Sequence, residues 1–153
     1  MTQLNNIGGS IVPMALSDLA RVYQIEQRAH LWPWSENTLS GNFGTRYFNH
    51  VLQLEQRVVG YYIASQAGVE ATLLNIAVEP DVQGAGYGRM LLQHLIDLAK
   101  QKQLEEIWLE VRVSNVAAYQ LYQQLGFVEV DRRKGYYPAQ EGREDAIIMC
   151  CYL

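Results

Sequence analysis

The sequence predicts an α/β protein whose central mixed sheet is flanked by helices. Three strand-like runs, His50–Leu54, Val58–Ser65 and Thr72–Val78, are separated by links short enough for hairpins, so these strands should be antiparallel. After them, Arg89–Lys102 repeats leucine and isoleucine at helical spacing and leads to a further strand over Ile107–Val113. Strand pairs followed by a crossover helix and another strand are typical of a mixed sheet.

The N-terminal part adds one strand and two helices before this sheet. Ser10–Met14 is predicted to form a short first strand. Leu16–Ala29 carries apolar residues at helical spacing, and Ser17 or Asp18 is available as its N-cap. After a proline break, the chain restarts at Ser35 as a second, short helix.

The C-terminal part adds a helix and two strands. Ser114–Asn115 is a suitable cap for the helix, and Gly126 is a suitable end. Phe127–Asp131 and Asp145–Tyr152 predict the last two strands. The segment 133–144 between them contains glycine, proline and many charges, so it is predicted as a loop.

The composition is that of one folded domain. The chain has 153 residues, of which 49% are hydrophobic and 18% charged, so we expect a single domain over residues 1–153 with one sizeable core. The net charge of −4 argues against a broad electrostatic footprint for nucleic acid, and no direct contact with nucleic acid is expected. Although the net charge is negative, the chain has one local basic cluster, formed by Arg132, Arg133 and Lys134.

Nothing in the sequence predicts export or membrane insertion. The N-terminal stretch has neither a basic leader nor an apolar core, and no apolar run approaches the roughly 20 residues of a membrane span. Cys150 and Cys151 are neighbours, which is a poor arrangement for a disulfide and is typical of a reducing compartment. We therefore expect a cytoplasmic protein that does not bind membranes.

A glycine-rich loop precedes the long helix. Gly84, Gly86 and Gly88 follow a strand and a bend at 79–81. The first N–H groups of a helix lack internal partners, and glycines let the backbone approach a ligand closely, so several N–H groups can converge on one anion. The loop lacks the Gly-Lys-Ser/Thr end of a P-loop, and Arg89 stands where the dinucleotide fingerprint needs a glycine. A pyrophosphate fits this arrangement, although a simple capping turn would also explain the glycines.

Two segments resemble the coenzyme-binding motifs of the GNAT family of N-acetyltransferases. LNIAVEPDVQGAGYGRMLLQHL is similar to the family pattern Gln/Arg-x-x-Gly-x-Gly/Ala, and LEVRVSNVAAYQLYQQLGF to Asn-x-x-Ala-x-x-Leu-Tyr-x-x-x-Gly-Phe. The resemblance implies the GNAT fold, a central mixed, mostly antiparallel twisted sheet flanked by helices. It also implies acetyl-CoA as cosubstrate, with no metal. The coenzyme-binding residues would be Ile76, Ala77, Val78, Gln83, Gly84, Ala85, Gly86, Tyr87, Gly88, Arg89 and Asn115.

The resemblance also implies what these residues do. The loop 83–88 would hold the pyrophosphate through backbone amides, and the strand 76–78 would pair with the pantetheine arm. Asn115 would bond the same arm and cap its helix. The three histidines, His30, His50 and His94, lack ligand spacing with one another, so they offer no metal site.

From Ile25 to Met149 the chain resembles the RimI-type ribosomal-protein-alanine N-acetyltransferases, a group within the GNAT family. The stretches that carry this resemblance are IEQRAHLWPWSE, NIAVEP, WLEVRVSN, YYP and GREDAIIM. That group carries a basic residue where this chain has Gly84, so phosphate binding is expected to depend on backbone amides and Arg89. The implied partner is the N-terminal alanine of the eighteenth protein of the small ribosomal subunit. The residues flanking its groove would be Trp32, Trp34, Tyr136 and Tyr137.

The same resemblance implies a catalytic base at Glu110 and a catalytic acid at Tyr122. Strand alternation puts Glu110 on one face of its strand, together with Trp108 and Arg112. The other face carries Ile107, Leu109, Val111 and Val113. A solvated Glu-Arg face is the alternative for Glu110, and an ordinary core tyrosine is the alternative for Tyr122. In direct transfer the base would take the proton of the amine and the acid would serve the departing thiolate.

Proton arithmetic favours a chain terminus as the acceptor. An α-amine has a pKa of about 7.7–8.0 and a lysine about 10.4, so at pH 7 roughly 10% of the first and under about 0.1% of the second is neutral. A weak carboxylate base is adequate for the first amine and poor for the second.

Three other functions stay open at this point. They are acetylation of lysine or small-molecule amines, coenzyme A binding without catalysis, and acetylation of charged transfer RNA. The presence of both Glu110 and Tyr122 argues against an inactive module, and the acidic balance argues against an RNA-directed enzyme.

Overall fold

The computed structural model describes residues 8–153. Hydrogen bonds between neighbouring strands give a seven-stranded sheet with the order β1-β2-β3-β4-β5-β7-β6. The strands are β1 Ser10–Pro13, β2 His50–Leu54, β3 Arg57–Ala67, β4 Glu70–Val78, β5 Glu106–Arg112, β6 Val128–Pro138 and β7 Arg143–Tyr152. The helices are α1 Leu19–Ala29, α2 Glu36–Gly41, α3 Tyr87–Gln101 and α4 Val116–Gln124, with short 3-10 turns at Leu16–Asp18 and Pro80–Val82. The predicted mixed α/β class is confirmed.

The described residues form two compact units. The first runs up to Gln66 and includes Leu73–Leu95. In it β1 pairs antiparallel with β2, and β2 pairs antiparallel with β3. The link between β3 and β4 has two residues, which is a hairpin length and too short for a parallel crossover. Its core joins α1 and α2 to the strands through Met14, Val22, Ile25, Leu39, Val51, Val58, Tyr61, Ile63 and Ala77.

The second unit consists of Ala67–Thr72 and Ile96–Leu153. The start of β4 pairs parallel with β5, which is the parallel element of the sheet. Strand β7 lies between β5 and β6 and is antiparallel to both. Strand β5 alternates as its sequence predicts, with Ile107, Leu109 and Val111 buried. Val113 does not follow this pattern: the strand ends at Arg112, and Val113 is exposed.

The predicted loop at 133–144 is mostly strand, which corrects the expectation for that segment. Strand β6 continues to Pro138, with a register shift between Arg133 and Tyr137. Side chains secure the shift, because Arg143 donates to the carbonyls of Gly135 and Tyr136 at 2.6 and 2.8 Å. The Gly135 N–H donates to Asp145 at 2.9 Å, and Gly135 has a φ of +60°. Glycine and charge, which read as loop signals, here build a bulge.

Two helix starts also differ from expectation. Asp18 does not cap α1 through its side chain, because its carboxylate accepts from the Ala15 N–H at 2.8 Å and closes the preceding 3-10 turn. Helix α3 begins at Tyr87, so Gly88 lies in its first turn. The predicted cap at Asn115 is confirmed, since its side chain accepts from the Ala118 N–H. Ser35, where the second helix was predicted to restart, is its N-cap and accepts from the Thr38 N–H.

Residues 8–153 also bear on the expectations about membrane insertion and disulfide formation. None of the helices formed there combines the length and apolar character that a bilayer crossing needs. Cys150 and Cys151 are buried free thiols, as their adjacency predicts.

We expect Gly60 to be a packing requirement of β3. A Cβ there would lie 3.1 Å from the Ala77 carbonyl oxygen and 3.1 Å from a Leu91 methyl. Since the carbonyl belongs to a strand, Gly60→Ala should lower the free energy of unfolding by about 1–3 kcal/mol, measured by urea titration.

Gly41→Ala is the matched control. Nothing lies within 4 Å of its Cβ position, and it closes helix α2. This change should be neutral or raise stability by up to about 1 kcal/mol. Equal stabilities for the two variants would contradict tight packing at Gly60.

Candidate functional site

The glycine loop lies in the first unit, between β4 and α3. Gly84 and Gly86 have φ values of +86° and +91°, a region that side chains rarely adopt. A Cβ at either position would meet nothing within 4 Å, so this backbone is open on that side. Helix α3 follows directly, and its N-terminus carries the positive end of the helix dipole. The loop therefore presents an accessible, electropositive backbone surface that fits an anion.

All the predicted coenzyme residues except Asn115, which lies in the second unit, belong to this loop and the two elements it joins. Ile76, Ala77 and Val78 form the end of β4, and the last two are buried. The Gln83 side chain donates to the Val78 carbonyl at 2.9 Å, so it fixes the loop to the strand and does not extend into solvent. Gly84, Ala85 and Gly86 form the turn, and Tyr87, Gly88 and Arg89 begin α3.

Glu79, a buried carboxylate that the sequence did not predict, fixes the segment that leads into the glycine loop. Glu79 is almost fully buried and lies 3.1 Å from Arg21 and 3.0 Å from Arg28. Arg28 also lies 3.2 Å from Asp81, and the Glu79 N–H donates to the Val59 carbonyl at 2.7 Å. Helix α1 is thereby connected to the residues that lead into the loop. No local pattern marks Glu79 as buried, because the two arginines that pair with its carboxylate are more than 50 positions away in the sequence.

Glu110 lies on β5 in the second unit, with its side chain 29% exposed. Arg133 on β6 is 3.4 Å from its carboxylate. Arg112, which the alternation places beside Glu110, instead pairs with Glu144 at 3.2 Å and donates to the Pro138 carbonyl at 2.7 Å. The charge facing Glu110 therefore comes from the neighbouring segment of β6, which was predicted as loop.

Tyr122 lies on α4 and is 7% exposed, with its ring 5.8 Å from that of Phe127. Burial raises the pKa of Tyr122 far above its usual value, and nearby Tyr137 raises it further. Asn115 caps the same helix, accepting from the Ala118 N–H at 3.3 Å. The Tyr122 hydroxyl therefore stays protonated at any physiological pH.

Tyr137 connects the predicted catalytic residues of this unit. Burial, then the charge of Glu110, raises the pKa of Tyr137 to about 12. Arg112 lies over the Tyr137 ring at 4.3 Å, and Arg133 over the Tyr136 ring at 4.9 Å. Glu110 therefore raises the pKa of Tyr137, and Tyr137 raises that of Tyr122, while arginines lie over the Tyr136 and Tyr137 rings.

The histidines pack with polar and aromatic neighbours. His50, Tyr62 and His94 form a ring cluster, and the Tyr62 hydroxyl is 2.8 Å from His94. His30 is 3.1 Å from Asn75. Across residues 8–153, no group of three or more His, Cys, Asp or Glu side chains is placed to hold a metal ion.

Comparison with known proteins identifies close relatives. The acetyltransferase (GNAT) family matches residues 15–127. The [ribosomal protein bS18]-alanine N-acetyltransferase of Salmonella typhimurium is 52% identical over 136 residues, which cover 89% of this chain and 92% of the relative. The enzyme of the same name from Escherichia coli K12 is 49% identical over 140 residues, covering 92% and 95%.

Solved structures agree. The crystal structure of the ribosomal-protein-S18-alanine N-acetyltransferase from Escherichia coli superposes with a TM-score of 0.92 at 48% identity, covering 94% of this chain and 93% of that one. A GNAT acetyltransferase from Elizabethkingia anophelis with acetyl-CoA bound gives 0.80 at 24% identity, covering 95% and 99%, which shows a shared fold.

We predict that Gly86→Val weakens acetyl-CoA binding at least about tenfold, because valine resists a positive φ and its branches would occupy the open face of the loop. Calorimetry gives the dissociation constant. Gly68→Val is the matched control, since Gly68 also has a positive φ, +60°, and lies in the turn between β3 and β4. An unchanged dissociation constant in a folded Gly86→Val protein would make the loop a simple helix cap.

Proposed function

This chain belongs to the acetyltransferase (GNAT) family, and on that premise we propose that it transfers the acetyl group of acetyl-CoA to the N-terminal alanine of ribosomal protein bS18. One observation carries the proposal: 52% identity over 89% of the chain with an enzyme named for that reaction. Acetyl-CoA-dependent N-acetyltransferase activity follows from the family itself.

We further propose that residues 1–153 act as one acetyltransferase domain in the cytoplasm. The family match over 15–127 includes parts of both compact units, which supports a single domain. Residues 1–7 lie outside the described part of the chain. We expect the partners to be acetyl-CoA and the N-terminus of the ribosomal protein, without direct contact to nucleic acid or membrane.

On the coenzyme side, the residues supply binding and orientation. We propose that the backbone of 83–88 holds the pyrophosphate, with Arg89 adding charge, and that the end of β4 at 76–78 pairs with the pantetheine arm. Asn115 would bond that arm as well. The open glycine backbone at the start of α3 supports this assignment, because phosphates bind readily at helix N-termini.

On the acceptor side, we propose that Glu110 takes the proton of the incoming ammonium. The neutral nitrogen then attacks the thioester carbonyl carbon, the C–N bond forms, and the C–S bond breaks with its electron pair on sulfur. The nitrogen releases a second proton as the amide forms, and this proton reaches the departing thiolate through solvent. Glu110 begins this sequence paired with Arg133, so a positively charged amine competes with a guanidinium for the same carboxylate. Removal of the amine's proton ends that competition.

Tyr122 would stabilise the departing thiolate, chiefly by hydrogen bonding. An ordinary tyrosine is already a weaker acid than a thiol by about 1.5 pKa units, and burial makes Tyr122 weaker still. Complete transfer of its proton to sulfur is therefore unfavourable. A hydroxyl that remains protonated is nevertheless a good donor to developing negative charge.

We predict that substitutions of Glu110 and Tyr122 differ in how their effect on turnover depends on pH. Glu110→Gln should lower turnover at least about tenfold near pH 7 and recover as pH rises, because the amine then loses its proton unaided. Tyr122→Phe should lower kcat about tenfold at all pH values with little change in acetyl-CoA affinity.

Matched controls lie on the same elements. Glu106→Gln alters a carboxylate on the same face of β5, and Tyr119→Phe removes a hydroxyl from α4, where it bonds Glu129. Both should keep wild-type pH profiles. Near-normal rates for Glu110→Gln and Tyr122→Phe would show that the two roles are wrongly assigned.

We predict that the acceptor is an α-amine. A peptide with the N-terminal sequence of bS18 should be acetylated at its terminus, with the site assigned by mass spectrometry. The same peptide with a blocked terminus and one internal lysine should react at least about a hundredfold more slowly at pH 7, following the difference in neutral amine. Comparable rates would make side-chain acetylation the better assignment.

A further inference from the structure

A second buried carboxylate, Glu26, has no part in the reaction described above. It lies on α1, is 1% exposed, and shares the helix face of Val22 and Ile25. An apolar residue would fill this position without the cost of desolvating a charge. The structure instead surrounds the carboxylate with donors from three segments of the first unit.

One oxygen of Glu26 faces β3 and β4. The Tyr61 hydroxyl and the Asn75 side-chain amide both donate to Oε1, the latter at 2.9 Å. His30 completes the cluster, with Nε2 at 3.5 Å from the same oxygen and 3.1 Å from the Asn75 carbonyl. Burial and Glu26 together raise the pKa of Tyr61 far above its usual value, so Tyr61 stays a donor. Asn75 directly precedes Ile76, where the proposed coenzyme strand begins.

The other oxygen faces the connection between α1 and α2. Oε2 accepts from the Trp34 backbone N–H at 2.9 Å. The Trp34 ring packs half-buried against the core of the first unit, whereas Leu31 and Trp32, 82% and 44% exposed, project from the same connection. One carboxylate thus joins the connection 31–34 to Asn75, the residue before the proposed coenzyme strand.

We propose that Glu26 is a positioning residue for the acceptor: it holds the connection 31–34, through the Trp34 N–H, beside the start of the coenzyme strand. The inference rests on the proposed function, because an amine that attacks the thioester must approach along that strand. Leu31 and Trp32 then offer the peptide an apolar contact of fixed position. Without the carboxylate, the connection loses its anchor while the coenzyme elements keep their own hydrogen bonds, such as that of Gln83 to Val78.

Two substitutions remove the anchor to different extents. Glu26→Leu has a similar volume and no acceptor oxygen, so it breaks every bond of the cluster. Glu26→Gln keeps one carbonyl oxygen and brings two donors, so it cannot satisfy both Trp34 and the Tyr61–Asn75 pair in their present arrangement. If the leucine variant fails to fold, the glutamine variant alone tests whether Glu26 anchors the connection 31–34.

The expected result is a split between the two substrates. Either variant should raise the KM of an alanine-initiated peptide at least about fivefold, while the KM of acetyl-CoA stays within about twofold. Hydrogen exchange of the unliganded enzyme should accelerate at the amides of the 31–35 segment, because Trp34 has lost its acceptor.

Two controls separate positioning from general loss of stability. Ile25→Ala creates a cavity on the same helix, and Tyr61→Phe removes one donor, yet both leave Oε2 bonded to Trp34. Both should lower Tm without changing the peptide KM or exchange at 31–35. If a control raises the peptide KM as much as Glu26→Gln does, or if Glu26→Gln changes neither quantity, the anchoring role is wrong. A wild-type enzyme that fails to acetylate the peptide would instead overturn the proposed function.

Discussion

Burial of two carboxylates against one helix is the constraint on which the first unit depends. Glu26 on α1 and Glu79 after β4 are both almost fully removed from water. Removing a partner from such a buried group costs about 3–5 kcal/mol, so their donors and counter-ions must remain in place. Since Arg21 and Arg28 pair with Glu79 while Glu26 binds β3 and β4, helix α1 has little freedom of position. The glycine loop, 83–88, starts four residues after Glu79.

Sequence patterns predicted most of the fold, because the spacing of apolar residues and the residues that cap or end each element are local features of the chain. Strand alternation separated the two faces of β5, and the cap at Asn115 followed from residue type. The end of β6 could not be found this way. Its glycine and charges form a bulge that depends on Arg143 and Asp145, and those residues lie on the partner strand. These contacts form only in the tertiary structure, so no pattern in the sequence of β6 itself predicts them.

At the candidate site too, local sequence patterns did not predict which charged side chains contact each other. The motifs located the glycine loop, Glu110 and Tyr122, and the structure gives each a suitable local setting. They did not identify the cation that faces Glu110: Arg112 was the nearest candidate in sequence, but Arg133 makes the contact. Strand neighbours two residues apart share a face, whereas a side chain from the adjacent segment reaches the same carboxylate only once β6 is formed. The roles of these residues stay proposals.

The proton balance of the reaction explains why so little acid–base power is needed. In the proposed reaction the ammonium loses two protons: Glu110 takes the first, and the second ends on the thiol of coenzyme A. A thiol has a pKa of about 8.5, so its thiolate is a tolerable leaving group near neutrality and requires stabilisation more than protonation. In the proposed mechanism, Tyr122, whose burial keeps it protonated, would provide that stabilisation by hydrogen bonding. The acceptor α-amine is already about one-tenth neutral at pH 7, so it asks little of a carboxylate base. What remains to be supplied is the position of the two substrates. This requirement is consistent with the two proposals made above, that the glycine backbone holds the coenzyme and that the buried Glu26 holds the connection after α1.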